Sequence, residues 1–213
     1  MVSVRRIVLS GLMALGMIAT VMPSAAQAAE TTSEVAMQIG GFDAAVAKAH
    51  GYEIVTLPDG SQASVPAAKA AAATAGTFIP KSGVLVKPSD GGVSANTYGE
   101  RVGECGLSWV QISARGGGSA GLTTGMSLVL DSGGPWDIHW NVRVSDSNGS
   151  STQGYSEYDG YFSGTGLSWS GKGRTLNLAR GAATVKVTAG SFTITEAGWL
   201  CYSYAPSAST TIT

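Results

Sequence analysis

The chain has 213 residues, of which 44% are hydrophobic and 13% are charged, and its formal net charge is −1. This length suits one domain with extensions, and the low charge argues against a wholly disordered chain. The near-neutral balance argues against a nucleic-acid-binding protein, which would carry a basic surface. Two cysteines are too few for a four-thiolate zinc site, and the sequence has neither a C-x-x-C nor an H-x-x-x-H motif. We therefore expect no metal and no cofactor.

The first 28 residues have the layout of a secretory signal peptide. Arg5 and Arg6 precede a nearly unbroken apolar run over 7–22, and Ala26-Gln27-Ala28 follows as a small-x-small cleavage pattern. The apolar run is shorter than a comfortable membrane span, and no other stretch of the sequence is apolar enough for one. We predict cleavage after Ala28, a secreted, extracellular protein and no stable membrane span after cleavage. An uncleaved membrane anchor is the alternative.

Residues 29–80 differ in composition from residues 81–213, because they are rich in alanine and contain no tryptophan. Asp43 is a good N-cap for a helix over 44–50, and Pro58-Asp59-Gly60 predicts a turn between two short strands, at 52–57 and 61–65. We predict a small helix–hairpin extension. It either docks on the main domain, is removed as a prosegment, or serves as a flexible spacer.

Part of this extension is similar to known sequences. The stretch AKAHGYEI at 47–54, the Pro-Asp-Gly turn and Ser64-Val65-Pro66 carry the similarity. Together they resemble the N-terminal regions of uncharacterised secreted proteins from actinobacteria. The resemblance implies export and implies nothing about activity.

Residues 81–213 hold all five tryptophans and alternate apolar with polar residues between regularly spaced turns. This pattern predicts an all-β fold, an antiparallel β-sandwich of about eight strands. The predicted strands are 107–113, 123–130, 136–144, 154–162, 174–178, 183–188, 191–196 and 199–204. Asn148-Gly149 predicts a tight hairpin turn. Because an exported protein meets an oxidising compartment, we also predict a Cys105–Cys201 disulfide, with two free thiols as the alternative.

The strand at 136–144 has the clearest alternation. Five apolar residues share one face, which we expect to point into the core: Trp136, Ile138, Trp140, Val142 and Val144. The other face carries Asp137, His139, Asn141 and Arg143.

Two weak functional motifs occur in this domain, one typical of dinucleotide binding and one of catalysis. The stretch 116–121 matches G-x-G-x-x-G, but no helix is predicted after it, so we interpret it as a hairpin loop and not as a dinucleotide site. Asp137 and His139 share a strand face, where the carboxylate could orient the imidazole toward a serine. No G-x-S-x-G elbow marks a nucleophile, so the alternative is an exposed polar face.

A second polar row follows the predicted hairpin turn. Its members are Tyr155, Glu157, Asp159 and Tyr161. Tyrosine rings and carboxylates in this arrangement could bind a sugar, hold a calcium ion or, as a carboxylate pair, hydrolyse a glycoside. The alternative is again an exposed face on which the tyrosine stems cover apolar surface.

Since no complete catalytic set is found, the sequence favours a secreted non-catalytic binding module over an enzyme. Its expected partner is an extracellular polysaccharide, such as a cell-wall polymer, or another cell-surface component, with Tyr155, Glu157, Asp159, Tyr161, Asp137 and His139 as the candidate ligand-binding residues. Two alternatives stay open. One is a secreted hydrolase that uses a carboxylate pair or Asp137 with His139, and the other is an inhibitor or toxin-like interaction protein held latent by residues 29–80.

Overall fold

The computed structural model describes residues 31–85, 104–157 and 166–213. Within these ranges the chain is mostly β, with fourteen strands, two short α-helices and 3-10 turns at Ala67–Lys69 and Leu130–Ser132. The helices are α1 (Ala44–Ala49) and α2 (Ala70–Thr74). The strands are β1 (Thr31–Phe42), β2 (Tyr52–Thr56), β3 (Gln62–Pro66), β4 (Val84–Leu85), β5 (Glu104–Gly116), β6 (Ser119–Leu128), β7 (Pro135–Asp146), β8 (Gly149–Glu157), β9 (Ser168–Ser170), β10 (Arg174–Asn177), β11 (Gly181–Val187), β12 (Phe192–Thr195), β13 (Trp199–Ser203) and β14 (Ser207–Ile212).

The antiparallel, mostly β fold agrees with the prediction, whereas the number of strands does not. We predicted about eight strands for residues 81–213 and two for the extension, and we missed β1, β4, β9 and β14. Two of these strands are short and rich in serine and threonine, with the sequences SWS and SASTTI. Such segments lack the run of large β-branched and aromatic residues that usually reveals a strand.

Eleven strands form one antiparallel sheet. Nine of them follow the order β10-β6-β5-β1-β13-β12-β7-β11-β14, while β8 joins the sheet at β7 and β9 joins it at β6. Although β14 ends this order, it packs against β5 and β1 near the middle. The sheet therefore curls around a single core. The remaining strands form a separate small sheet in the order β2-β3-β4.

The central position of β1 differs from our expectation, which placed the main β domain at 81–213. β1 pairs antiparallel with β5 on one side and with β13 on the other. The side chains of Met37 and Ile39 are buried in the main core. The main sheet thus begins well before residue 81, and part of the alanine-rich segment is one of its interior strands.

The helix and hairpin that follow β1 dock on the main sheet. Asp43 caps α1, since its Oδ1 accepts hydrogen bonds from the backbone N–H groups of Ala45 (2.9 Å) and Val46 (3.0 Å). On β3, the Ser64 hydroxyl donates a buried hydrogen bond to the carbonyl oxygen of Ala197. The Ser64 bond joins β3 to the loop between β12 and β13, as in the docked alternative for residues 29–80. Cleavage of the segment as a prosegment stays an untested prediction.

The core is built around three fully buried tryptophans, Trp140, Trp169 and Trp199. Trp140 and Trp169 meet edge to face with their ring centroids 5.8 Å apart. Trp136, which we expected in the same core face as Trp140, is only half-buried. Its ring packs against the imidazole of His50 at the end of α1, with centroids 4.4 Å apart. Trp136 therefore contributes to the contact with the docked segment.

The glycine-rich stretch is a hairpin loop, as expected, and not a dinucleotide site. Gly116, Gly117 and Gly118 join β5 to β6 with φ values of +81°, +61° and +76°. Consecutive residues in this left-handed region favour glycine. No helix follows the loop, because the chain continues directly into β6.

The predicted disulfide joins Cys105 of β5 to Cys201 of β13, the two strands that flank β1. The Cα atoms lie 5.8 Å apart, and the sequence separation is 96 residues. Both cysteines are fully buried. The cross-link therefore fixes the spacing of the two neighbours of the interior strand.

Replacing both cysteines by serine should lower the free energy of unfolding by about 2–4 kcal/mol, because the open chain regains the entropy of a long loop. Guanidinium denaturation of the oxidised wild type and of the Cys105→Ser/Cys201→Ser variant measures the difference. Reduced wild type is the control and should match the variant. Equal denaturation midpoints for all three samples would show that the cross-link adds no stability.

Candidate functional site

The structure places Tyr155, the first residue of the predicted ligand row, inside the protein. Tyr155 lies opposite Trp140 in the β7–β8 ladder and is only 6% exposed. Its outer side is covered by Arg174, whose guanidinium carbon lies 4.1 Å from the centre of the tyrosine ring. Burial raises the pKa of the phenol, and the positive charge of Arg174 partly offsets this effect. Tyr155 is thus a core residue and presents no ring face to a ligand.

The rest of that row is only partly described. Glu157 is half-buried and one of its carboxylate oxygens, Oε2, is inaccessible to solvent. Asp159 and Tyr161 lie outside the described residues. The proposed roles of a Glu157–Asp159 pair therefore stay predictions.

Asp137 and His139 lie together on the outer face of β7, as the alternation predicted. His139 Nε2 is 3.2 Å from Asp137 Oδ2. The side chains of His139 and Asp137 are 35% and 18% exposed to solvent, respectively. This contact fixes the orientation of the imidazole.

An aromatic row, consisting of His139, Phe192 and Tyr202, crosses three strands of this outer face. Phe192 of β12 is the register partner of both His139 on β7 and Tyr202 on β13. The His139 and Phe192 rings stack with centroids 4.7 Å apart, and those of Phe192 and Tyr202 lie 5.5 Å apart. Phe192 is thus flanked by a ring on each side. This packing holds Tyr202 in place at the end of the row.

The next strand, β1, leaves space for the Tyr202 ring by means of an irregularity. The β1–β13 register shifts between Ile39 and Gly41, so Gly40 has no partner residue in the ladder. A Cβ atom at Gly40 would lie 2.6 Å from Cδ2 and Cε2 of Tyr202, which is closer than real contacts allow. Only glycine therefore fits beneath this ring as it is placed.

Beside Tyr202 the surface opens into a cleft of about 270 Å³, which we call the tyrosine cleft. Its lining includes Gln38, Gly40, Ala189, Tyr202, Tyr204 and Ala205. Tyr204 is 43% exposed, and its hydroxyl donates a hydrogen bond of 2.6 Å to Gln38 Oε1. The cleft therefore combines two tyrosines with a side-chain amide held in a fixed position.

The backbone at the cleft is strained at one residue. Ala205 has φ of +56°, and no other residue apart from glycine has a positive φ in the described ranges. Such a conformation costs about 1–3 kcal/mol and persists only where the surroundings impose it. Here it turns the chain sharply between β13 and β14, at the edge of the cleft.

The arrangement suits the binding of one ring-shaped polar ligand. Tyr202 and Tyr204 both line the cleft, so a ligand in it can contact two aromatic side chains. Gln38 and the Tyr204 hydroxyl then offer hydrogen bonds at the rim of the cleft.

Sequence reasoning missed Gln38, Phe192, Tyr202 and Tyr204. The strands of Phe192 and Tyr202 were predicted, but their alignment with β7 and β1 depends on pairing between segments far apart in sequence. Only the short hairpin between β12 and β13 offered a signal, because it brings two outward-facing aromatic residues side by side.

In the described part of the chain, no group of three or more His, Cys, Asp or Glu side chains could hold a metal ion. The same ranges contain no helix that is long and apolar enough to cross a membrane. The chain matches no protein-family model, no curated protein and no solved structure. Its function must therefore be inferred from the geometry of the site.

Proposed function

We propose that the protein is an exported, non-catalytic binding module that holds extracellular glycan in the tyrosine cleft. One observation supports this proposal. Tyr202, Tyr204 and an oriented Gln38 line an open cleft, and Tyr202 is held in place by its packing against Phe192. Aromatic side chains with a polar end are well suited to such recognition, because they combine apolar contact area with a hydrogen-bonding group. A sugar ring presents matching chemistry, with C–H groups on its faces and hydroxyls at its edge.

The open shape of the site favours a segment of a longer chain over an isolated, enclosed ligand. Ligand pockets are typically mostly apolar with a few oriented polar groups, which is the character of this cleft. Because the cleft is open, a sugar unit within a longer chain can enter it. The signal-peptide layout and the buried disulfide support export to the place where such polymers occur.

The test is retention of the purified protein on insoluble glycans, namely chitin, cellulose and a peptidoglycan-containing wall fraction. We expect wild type to be retained on at least one of them, and Tyr202→Ala to weaken retention by roughly tenfold or more, equivalent to about 1.4 kcal/mol. Tyr202→Phe should keep most of the binding, because the ring stays in place. Leu107→Ala is the matched control, since Leu107 is an exposed apolar residue outside the cleft.

No retention of wild type on any of these polymers would refute the glycan proposal. Retention that is equal for wild type and Tyr202→Ala would place the binding surface elsewhere.

Hydrolysis is the second candidate, because the contact between Asp137 and His139 gives it a specific basis. Asp137 occupies Nε2, so a nucleophilic hydroxyl would have to sit at Nδ1. The register partner of His139 on β8 is Ser156. An Asp–His–Ser set cleaves acyl bonds, so the substrate is an ester, p-nitrophenyl acetate, and we expect no release of p-nitrophenol above the rate in buffer. Release that disappears in Ser156→Ala and in His139→Gln would establish the hydrolase instead.

A further inference from the structure

A second cleft lies between the small sheet and the main sheet, away from the tyrosine cleft. It measures about 340 Å³, and its lining includes Tyr52, Phe78, Ile79, Lys81, Leu130 and Trp199. We call it the interlayer cleft. Its size lies at the lower end of the range for small-molecule sites, and such sites commonly form between structural layers.

The two edges of the interlayer cleft carry exposed aliphatic side chains. Ile79, after α2, is 81% exposed, and Leu130, after β6, is 80% exposed. No other large hydrophobic residue in the described ranges is more than half exposed. Two such side chains at the edges of one cleft form an apolar surface of the kind that marks a binding site.

The floor of the cleft is held in place by the packing of Trp199. Trp199 is 1% exposed, and its indole lies against Gly83. A Cβ atom at Gly83 would lie only 2.4 Å from the indole ring, so the loop approaches the ring at the closest distance that glycine permits. The cleft is therefore a preformed gap between two layers that are already in contact.

One charged side chain of the cleft, Lys81, can contact an anion. Lys81 belongs to the lining, and Lys69 Nζ lies 5.9 Å from the centre of the Phe78 ring, which also lines the cleft. The carboxylate in the lining is that of Asp131, and it already accepts a hydrogen bond from the Ser82 hydroxyl. The carboxylate keeps its negative charge but is turned toward Ser82, and Lys81 has no ion-pair partner among the described residues, so its ammonium can pair with an acidic group of a ligand.

We propose that the interlayer cleft binds a free fatty acid, with its hydrocarbon chain between Ile79 and Leu130 and its carboxylate next to Lys81. The aliphatic edges and the aromatic walls cover the chain, while the ammonium of Lys81 pairs with the carboxylate of the head group. This proposal is independent of glycan binding, because the two clefts share no lining residue.

The test uses displacement of 11-(dansylamino)undecanoic acid, a fluorescent fatty acid, from the full-length mature chain. We expect a saturable rise in dansyl fluorescence that laurate reverses at micromolar concentrations. Ile79→Asp and Leu130→Asp should each raise the dissociation constant for laurate by roughly tenfold or more. Both residues are exposed, so these variants should melt at the wild-type temperature.

The head group is tested separately by comparing laurate with dodecanol, which has the same chain and no charge. Lys81→Glu should weaken laurate by at least about fivefold and leave dodecanol unchanged. Leu107→Asp, which introduces a carboxylate at an exposed leucine outside the cleft, is the matched control and should bind laurate like wild type.

Three results would overturn the proposal. The first is the absence of saturable displacement by laurate. The second is displacement that is unchanged in both Ile79→Asp and Leu130→Asp, which would place the fatty acid elsewhere. The third is equal binding of laurate and dodecanol with no effect of Lys81→Glu, which would exclude recognition of the carboxylate. Tyr202→Ala should not alter any of these measurements.

Discussion

A chain that begins at Asp43, and therefore lacks β1, should not fold. β1 pairs with β5 on one side and β13 on the other, so its removal leaves two unpaired strand edges facing a gap in the sheet. It also removes Met37 and Ile39 from the core. We expect the truncated chain to show no cooperative thermal transition and a poorly dispersed NMR spectrum.

The matched control is a chain that begins at Ala29, which keeps β1 and should melt cooperatively. A chain starting at Asp43 that melted like this control would contradict the central placement of β1. For the same reason, we expect any protein recovered from culture medium to have the mass of a chain starting at Ala29 rather than near residue 80.

Trp140→Ala should lower the free energy of unfolding by about 3–5 kcal/mol, as is usual when a large aromatic side chain is removed from a core. Trp140 is fully buried, packs on Trp169, and donates a hydrogen bond of 2.9 Å from Nε1 to the Thr124 hydroxyl. The substitution leaves a cavity between β7 and β6. At roughly 2–4 °C per kcal/mol for a domain of this size, the melting temperature should fall by about 10 °C.

Trp136→Ala provides the comparison, since it removes the same side chain from the same strand at a half-buried position. Its effect should be clearly smaller than that of Trp140→Ala. If the two variants melted at the same temperature, or if Trp140→Ala melted like wild type, the assignment of Trp140 to the core would be wrong.

The sequence was informative where a feature depends on local pattern. The alternation along β7 correctly placed Ile138, Trp140, Val142 and Val144 in the core. Asn148-Gly149 correctly predicted a hairpin between β7 and β8, although its two turn residues are Ser147 and Asn148 and Gly149 begins β8. The expectation of export led to the prediction of a Cys105–Cys201 disulfide, and the structure confirms that pairing.

The position of Tyr155 could have been predicted but was not. The hairpin turns at Ser147 and Asn148, so Tyr155 lies opposite Trp140, and a turn one residue later would place it opposite Val142 on the same face. Directly opposed residues of an antiparallel pair point to the same face. Since Trp140 was assigned to the core, Tyr155 had to be there as well. The alternation within β8, considered without its partner strand β7, led to the wrong prediction that Tyr155 lies on the outer face.

The location of β1 and the tyrosine cleft could not be predicted from local pattern. β1 contains the Gly40-Gly41 pair and few large apolar residues, and its two partners lie far along the chain. The cleft exists because Gln38 and Gly40 of β1 lie beside Tyr202 of β13. Pairing between such distant segments depends on the global fold, and the strand propensity of each segment does not show which segments pair.

Both proposed sites depend on the alanine-rich segment. β1 supplies Gln38 and Gly40 to the tyrosine cleft, while the small sheet and the turn after α2 supply one wall of the interlayer cleft. Loss of residues 29–80 would therefore remove part of each site. This dependence argues against the hypothesis of a latent protein that becomes active when the segment is cleaved.

The most direct measurement of glycan recognition at the tyrosine cleft is an NMR titration of the isotope-labelled protein with soluble oligosaccharides from the polymer that retains it. Binding in the cleft predicts saturable shift changes centred on Gln38, Tyr202, Tyr204 and Ala205, with none at Tyr155 or Arg174. Shift changes centred on β8 and β10 with the cleft unaffected, or no saturable change at any residue, would contradict it.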